Sequence, residues 1–245
     1  MNYTLSKIDQ QRFGVITAKA FLENGDNVLE LIEKSQVDLV EFLIVRVPTN
    51  QLGVVQLLEQ EGFFLADTLV YYLKKRIEHY PDVLPEGYLM RLATPEDADS
   101  VERLALETFH GYQGHYHADP KLKKEDCDLV YSSWAANSCR EKNVADAVIL
   151  VEKNQELAAF ATIKVNGQHE IEGVLFGVSP NHRNKNLYLS LMNLSQNWGA
   201  HNNFRQMIVS TQITNTVVQK YWCRLGFEPN KSYYTFHKWF KCAES

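Results

Sequence analysis

Only four cysteines occur in the 245 residues, at positions 127, 139, 223 and 242, and no two stand in a C-x-x-C spacing. This excludes a disulfide framework and a structural zinc site, and predicts a protein of a reducing compartment, the cytoplasm. A basic excess is missing too: 25 Lys and Arg stand against 30 Asp and Glu, a net charge of −5. A general nucleic-acid binder would present a basic face, so no nucleic-acid partner is expected. No apolar run approaches the roughly 18–20 residues of a spanning helix, so no membrane insertion is expected. The opening residues Met1 to Lys7 lack the apolar stretch of a signal peptide. What is present, 45% hydrophobic and 22% charged residues, is the composition of an ordinary soluble chain with one large domain or two smaller ones.

Prolines, charges and a glycine crowd residues 75–88, where Tyr80-Pro81-Asp82-Val83-Leu84-Pro85-Glu86-Gly87 breaks all periodicity and reads as a linker. Before it, β-like runs (Phe13 to Thr17, Leu39 to Val47, Phe64 to Leu73) alternate with helical stretches near 25–34 and 51–61. After it, a strand at Tyr88 to Leu92 precedes a helix opened by Pro95-Glu96-Asp97, and a second helix is expected to start at Asp119-Pro120. Strands follow at 147–151, 157–165 and 173–178. Then come a helix with the stripe Leu187, Leu191, Leu194 and Trp198, a strand at 207–213, a helix at 216–225 and a last extended run at 232–240. Helices interleaved with a mixed sheet make an α/β or α+β layer fold. A repeat is visible inside it: Val54-Val55-Gln56 before Gly62-Phe63, and Val217-Val218-Gln219 before Gly226-Phe227.

The stretch from Val178 to Tyr188 carries the most chemistry. It runs from a strand through a basic turn, with Arg183 and Lys185, into a helix N-terminus. Unpaired N–H groups and the positive end of the helix dipole favour a phosphate there. Glycines are lacking at this turn; Asn184 and Asn186 occupy it instead. Asparagine tolerates left-handed backbone better than most residues, so one of the two is expected in that conformation.

Residues 88–240 resemble the GNAT superfamily of CoA-dependent N-acyltransferases. The resemblance rests on the order of elements, the V-x-P-x-x-R loop from Val178 to Arg183, and Asn215 before a helix ending in Gly226-Phe227. The family's R-x-x-G-x-G/A motif is matched at Arg183 only, with Asn186 and Tyr188 at its small positions. The resemblance implies a GNAT fold with a mixed, mostly antiparallel sheet (residues 86–245), preceded by a smaller half-GNAT-like α/β domain (residues 1–80). It implies acyl-CoA as co-substrate, held at Val178, Arg183, Asn184, Lys185, Asn186, Leu187, Tyr188 and Asn215, and no metal. The whole chain is similar to two-domain GNAT enzymes that acylate dTDP-linked amino sugars, on Leu57 to Phe63, Asp67 to Val70, His115 to Pro120 and Ser133-Trp134-Ala135. That implies transfer of an acetyl or short hydroxyacyl group, from acetyl-CoA or 3-hydroxybutyryl-CoA, to a dTDP-amino sugar for a lipopolysaccharide or capsule. A homodimer is compatible with it. A small-amine or protein N-acetyltransferase, and a non-catalytic CoA or nucleotide-sugar binding module, stay open.

Amine attack on a thioester needs an oxyanion donor, a proton acceptor and a leaving thiolate. A backbone N–H of the strand ending at Val178 is the implied oxyanion donor. For the base, Glu170 and Glu172 share a strand face, and His115 and His117 share one if their segment is extended. Asp119 reads as an N-cap with Pro120 in the first helical position. His115-Tyr116-His117-Ala118-Asp119 also has the look of a metal motif, but Pro120 stands where its last ligand would be. Many GNAT enzymes carry a tyrosine four residues before Gly-Phe as acid to the thiolate. Here Trp222 stands there, and indole does not give up a proton in this way. Either Tyr221 reaches the sulfur or no side-chain acid is used.

Overall fold

The structure, a computed structural model, describes residues 1–81 and 84–240. Asp82 and Val83 of the expected linker, and Cys242, lie outside the described residues. The first half contains β1 (Asn2–Leu5), α1 (Lys7–Phe13), β2 (Thr17–Phe21), α2 (Val28–Val37), β3 (Phe42–Pro48), α3 (Leu52–Gln60) and β4 (Phe64–Lys74). The second contains β5 (Leu89–Leu92), α4 (Ala98–Thr108), α5 (Lys124–Arg140), β6 (Ala147–Lys153), β7 (Glu156–Asn166) and β8 (Glu170–Val178), followed by α6 (Leu187–His201), β9 (Gln206–Gln212), α7 (Thr216–Arg224) and β10 (Glu228–Trp239). Short 3₁₀ turns occupy 95–97, 115–118 and 180–182. No helix among the described residues is long and apolar enough to cross a membrane.

All ten strands join one sheet in the order β1-β2-β3-β10-β4-β9-β8-β7-β6-β5. The β2–β3 and β8–β9 pairs are parallel and the rest are antiparallel. The repeat seen in the sequence is structural. In both β3-α3-β4 and β9-α7-β10 a helix ends in a glycine with positive φ (Gly62, 75°; Gly226, 78°), followed by a buried Phe (Phe63, Phe227) and a long strand. Those long strands pair with each other and exchange neighbours: β10 lies against β3 of the other half, and β4 against β9. The two halves therefore share a continuous sheet.

Alternation along the strands builds two layers. Ala18, Ala20, Val45, Val47 and Phe236 face α2 and α3, and Tyr72, Val209, Ile171 and Ile163 continue that face beneath α6. The opposite face carries Phe42, Ile44, Leu150 and Phe160 beneath α1, α4, α5 and the 115–118 turn. Burying each large apolar side chain contributes roughly 1.5–3 kcal/mol. Local signals set the helix ends. Asn27 Oδ1 accepts from the N–H groups of Leu29 and Glu30 at the start of α2, and Asn215 Oδ1 accepts from Val218 at the start of α7.

Two expected elements differ. The β-like run Phe13 to Thr17 starts on the last residue of α1, which Gly14 closes at φ 71° with its N–H on Gln10, and reaches β2 only at Thr17; Phe13 packs against Tyr116. The helix expected from Asp119-Pro120 starts five residues later, at Lys124. Asp119 is not its N-cap, because its carboxylate is committed to the sheet.

Candidate active site

β8 and β9 run together only where Glu170–Gly173 faces Gln206–Val209, and then part. A bulge causes the parting: Gly173 pairs with Ile163 and Leu175 with Thr162, which leaves Val174 unpaired. The bulge reverses the alternation, so Phe176 and Val178 pack under α6 while Leu175 turns to the α4 side. The N–H of Leu175 is caught by Thr162 Oγ1 at 3.0 Å. Beyond the bulge the strand must lie flat on an aromatic ring. A Cβ on Gly177 would stand 2.3 Å from Phe160 Cε1, so only glycine fits.

At the end of β8 the chain makes a 3₁₀ turn at Pro180–His182 and enters α6. Asn184 (φ 60°) and Asn186 (φ 59°) are both left-handed, the role glycine would otherwise fill. This backbone leaves the N–H groups of residues 184–189 without acceptors among the described residues, at the positive end of a 15-residue helix. Such an array is suited to a pyrophosphate. Arg183 and Lys185 flank it, with no ion pair among the described residues. Asn215 lines the nearby cavity. Its amide is engaged at both ends, with Nδ2 donating to Thr211 Oγ1 at 3.0 Å.

From the parted strands a cavity of about 770 Å³ runs under α1, Phe109 at the end of α4, and α5, across the sheet into the first half of the chain. Tyr188, Trp222 and Phe176 line one end; Lys19, Arg46 and Asp67 line the other. Cross-strand pairing produces this floor: Lys19 stands beside Ile44, Arg46 beside Thr235, Thr235 beside Asp67, and Leu69 beside Gln212.

The candidate bases fall in different places. Glu170 holds Gln206 Nε2 at 3.0 Å at the head of β8. Glu172 lines the cavity and accepts from Asn166 Nδ2 at 2.9 Å; burial raises its carboxyl above the ordinary range. His115 and His117 lie in a 3₁₀ turn rather than an extended segment, so they part. His117 bonds the Gly114 N–H through Nδ1 and Asp128 through Nε2. His115 goes inward, lining the cavity.

Behind His115 stands a buried chain that no local motif revealed. His115 Nδ1 bonds His237 Nε2 at 2.9 Å, and His237 Nδ1 bonds Asp119 Oδ2 at 2.9 Å. Trp239 Nε1 and the Lys121 N–H also donate to Asp119. Burial works against the Asp119 carboxylate, but the bonds from His237, Trp239 and Lys121 outweigh it and hold its carboxyl below the ordinary range. A carboxylate only accepts, so His237 Nδ1 donates to it; with His237 neutral, its Nε2 then accepts from His115 Nδ1. His115 Nε2 is left with its lone pair free on the cavity side, and burial keeps this imidazole neutral by lowering its pKa well below the ordinary value. The signal available in the sequence was His237 within the alternating strand Tyr233 to Phe240, on the same face as Tyr233 and Thr235.

Near the turn, Trp222 is buried and its Nε1–H donates to Tyr188 Oη at 2.9 Å. Burial drives the Tyr188 hydroxyl pKa far above its ordinary value, so it stays protonated. Tyr221 is 39% exposed and sits outside the cavity lining, with its ring 5.7 Å from that of Tyr188.

A strand parted by a bulge, an anion turn at the next helix and a cavity at the parting define an acyl-CoA-dependent N-acyltransferase. Residues 101–227, over half of the chain, match the Acetyltransferase (GNAT) family, and the chain belongs to it. It is 22% identical over 241 residues to the spore coat polysaccharide biosynthesis protein SpsD of Bacillus subtilis (strain 168), covering 96% of this chain and 80% of that one. The fold is similar to that of a tandem GNAT protein from the clavulanic acid biosynthesis pathway (TM-score 0.64, 13% identity, 94% of this chain and 77% of that one). It is also similar to a GCN5-related N-acetyltransferase from Sphaerobacter thermophilus (TM-score 0.62, 12% identity, 97% and 76%).

Proposed function

We propose that the enzyme moves an acetyl or short hydroxyacyl group, such as 3-hydroxybutyryl, from CoA to the amino group of a dTDP-linked amino-dideoxyhexose. The reaction takes place in the cytoplasm and serves a surface polysaccharide. The observation that carries this reading is a cavity of about 770 Å³ that reaches from Tyr188, in the first turn of α6 beside the anion turn, to the face of the first half of the chain. A small amine needs no such volume, whereas a nucleotide sugar does. The role of SpsD in spore coat polysaccharide biosynthesis supports an acceptor of this kind. In this reading residues 86–245 bind acyl-CoA, and residues 1–80 shape the acceptor side.

The chemistry is direct transfer. The neutral amine attacks the thioester carbonyl, a C–N bond forms, and a backbone N–H on the open edge of β8 stabilises the oxyanion. The C–S bond then breaks. The amine proton passes to His115 Nε2, whose lone pair is fixed there by His237 and Asp119. Tyr188 offers its hydroxyl hydrogen to the departing thiolate, because its oxygen already accepts from Trp222. A thiol has a pKa of about 8.5, so a hydrogen bond suffices to help it leave. Glu172 faces the same cavity and is the second candidate base.

Free thiol released from acetyl-CoA or 3-hydroxybutyryl-CoA, measured with dTDP-amino-dideoxyhexoses, polyamines and peptide N-termini, tests the reading. Release specific to the sugar nucleotides is expected. Release with peptides or polyamines alone would replace the acceptor class, and no release above the acceptor-free control would defeat the enzymatic reading.

A further inference from the structure

Two acceptor atoms of neighbouring side chains on the cavity floor, one carboxylate oxygen and one amide oxygen, have no hydrogen bond. Asp67 on β4 and Gln212 on β9 both line the cavity. Gln212 is opposite Leu69, two residues along the same face from Asp67. Asp67 Oδ2 and Gln212 Oε1 are buried, and neither receives a hydrogen bond. The other end of the Gln212 amide is committed to the Tyr131 hydroxyl at 3.5 Å. Opposite Asp67, the fully buried Thr235 hydroxyl is also without a partner. Among the described residues no cation comes within ion-pair distance of Asp67, although Arg46 is on a strand nearby.

An uncompensated buried acceptor costs about 1–3 kcal/mol, and more when it is charged. Two such atoms, with an unpartnered hydroxyl beside them, on three adjacent strands therefore mark a place completed by a ligand. The ligand must bring donors, because a carboxylate oxygen and an amide oxygen cannot bond a phosphate, a carboxylate or a carbonyl. A hydroxyl brings one hydrogen; a primary ammonium brings three and a charge opposite to that of Asp67.

We infer that Asp67 and Gln212, backed by Thr235, form the seat of the acceptor's amino group and select an amine over a hydroxyl at that position. The assignment rests on the acyl-transfer reading and deepens it, by naming the residues that recognise the nucleophile. Asp67 counters the charge of the arriving ammonium, and Gln212 holds it beside the parted strands. Burial supports this division, since it raises the Asp67 carboxyl above its ordinary range against the pull of the Thr68 N–H, Arg46, the Gln212 side chain and His237. An arriving cation relieves that burden.

Calorimetric titration of the full chain with two probes tests it: a dTDP-amino-dideoxyhexose, and the same nucleotide sugar bearing a hydroxyl in place of the amine. The wild type should bind the amino probe at least about tenfold more tightly, as expected for a hydrogen bond to a charged group. Asp67→Asn should lose that preference while binding CoA unchanged. Should Asp67→Asn also lose CoA through misfolding, Gln212→Met supplies the same comparison with side-chain length kept. Equal binding of the two probes by the wild type, or a preference that survives both substitutions, overturns the inference. A wild type that prefers the amine yet releases no thiol leaves the seat standing and defeats the transfer reading alone.

Discussion

Trp222 and Tyr188 form one donor–acceptor unit: the indole N–H reaches the phenol oxygen at 2.9 Å. In the proposed reaction this pair supplies a phenol from α6, where the resemblance to GNAT enzymes would have placed an acidic tyrosine on α7 at the position of Trp222. Tyr188→Phe should lower kcat by about 10–100-fold, the worth of one hydrogen bond to a charged group. Tyr221→Phe should stay within about twofold. Thiol release under saturating substrates measures both. The reverse order would return the role to Tyr221.

The left-handed pair in the turn predicts an unusual tolerance. Asn184→Gly and Asn186→Gly should keep CoA affinity within about twofold, since glycine reaches positive φ without cost. Asn186→Val should weaken it about 5–30-fold, because a left-handed β-branched residue costs roughly 1–2 kcal/mol. Titration with CoA reads both, and equal losses from Gly and Val would show that the side chain, not the backbone, makes the site.

The Asp119–His237–His115 chain fixes a tautomer, so cutting its far end should affect catalysis. Asp119→Asn should lower kcat at least about tenfold and leave both KM values nearly unchanged, with His115→Gln lower still. A rise in KM at constant kcat would mean that the chain only shapes the pocket.

His115 also ties stability to pH. Burial lowers its folded pKa well below the ordinary value, so between the two values the unfolded chain binds more protons than the folded one. Stability is then lost as pH falls below about 6.5. Asp9 adds a second loss at lower pH. Its burial opposes ionisation, but Lys19, Ser6 and Tyr116 hold its carboxyl below the ordinary range. The stability it contributes is present above about pH 4 and disappears as pH falls through the folded value. Denaturant midpoints taken from pH 7.5 to 5.5 should decline in the wild type and decline less in His115→Gln. Parallel slopes would remove His115 from this account.

Much of the fold was legible because its elements are regular. The stripe Leu187, Leu191, Leu194, Trp198 is α6, and the runs at 147–151, 157–165 and 207–213 are strands within one or two residues of their limits. The anion turn was legible because asparagine has a backbone preference of its own, and both Asn184 and Asn186 have the left-handed form expected of one of them. α1 was not legible. It has seven residues, too few for a periodic stripe, and its partners are distant in sequence: Arg12 bonds Ser133 and Asp9 bonds Tyr116.

The site was legible in part. His115 could be nominated, but Asp119 looked like a cap because the Asp-Pro pair is a sound local signal. Its actual partners, His237 and Trp239, lie some 120 residues away. The segment Asp67 to Val70 contributed to the resemblance, but nothing local gave Asp67 a role. Its place on the cavity floor follows from β10 inserting between β3 and β4, a long-range pairing that strand alternation alone does not disclose.

In the proposed reaction one continuous cavity brings the thioester and the amino sugar together. A crystal structure with CoA and a dTDP-amino-dideoxyhexose tests it most directly. The CoA pyrophosphate is expected on the N–H groups of residues 184–189, and the sugar nitrogen between Asp67 and His115, facing the sulfur end of CoA. A pyrophosphate bound elsewhere, or a nucleotide sugar outside the cavity, would contradict it.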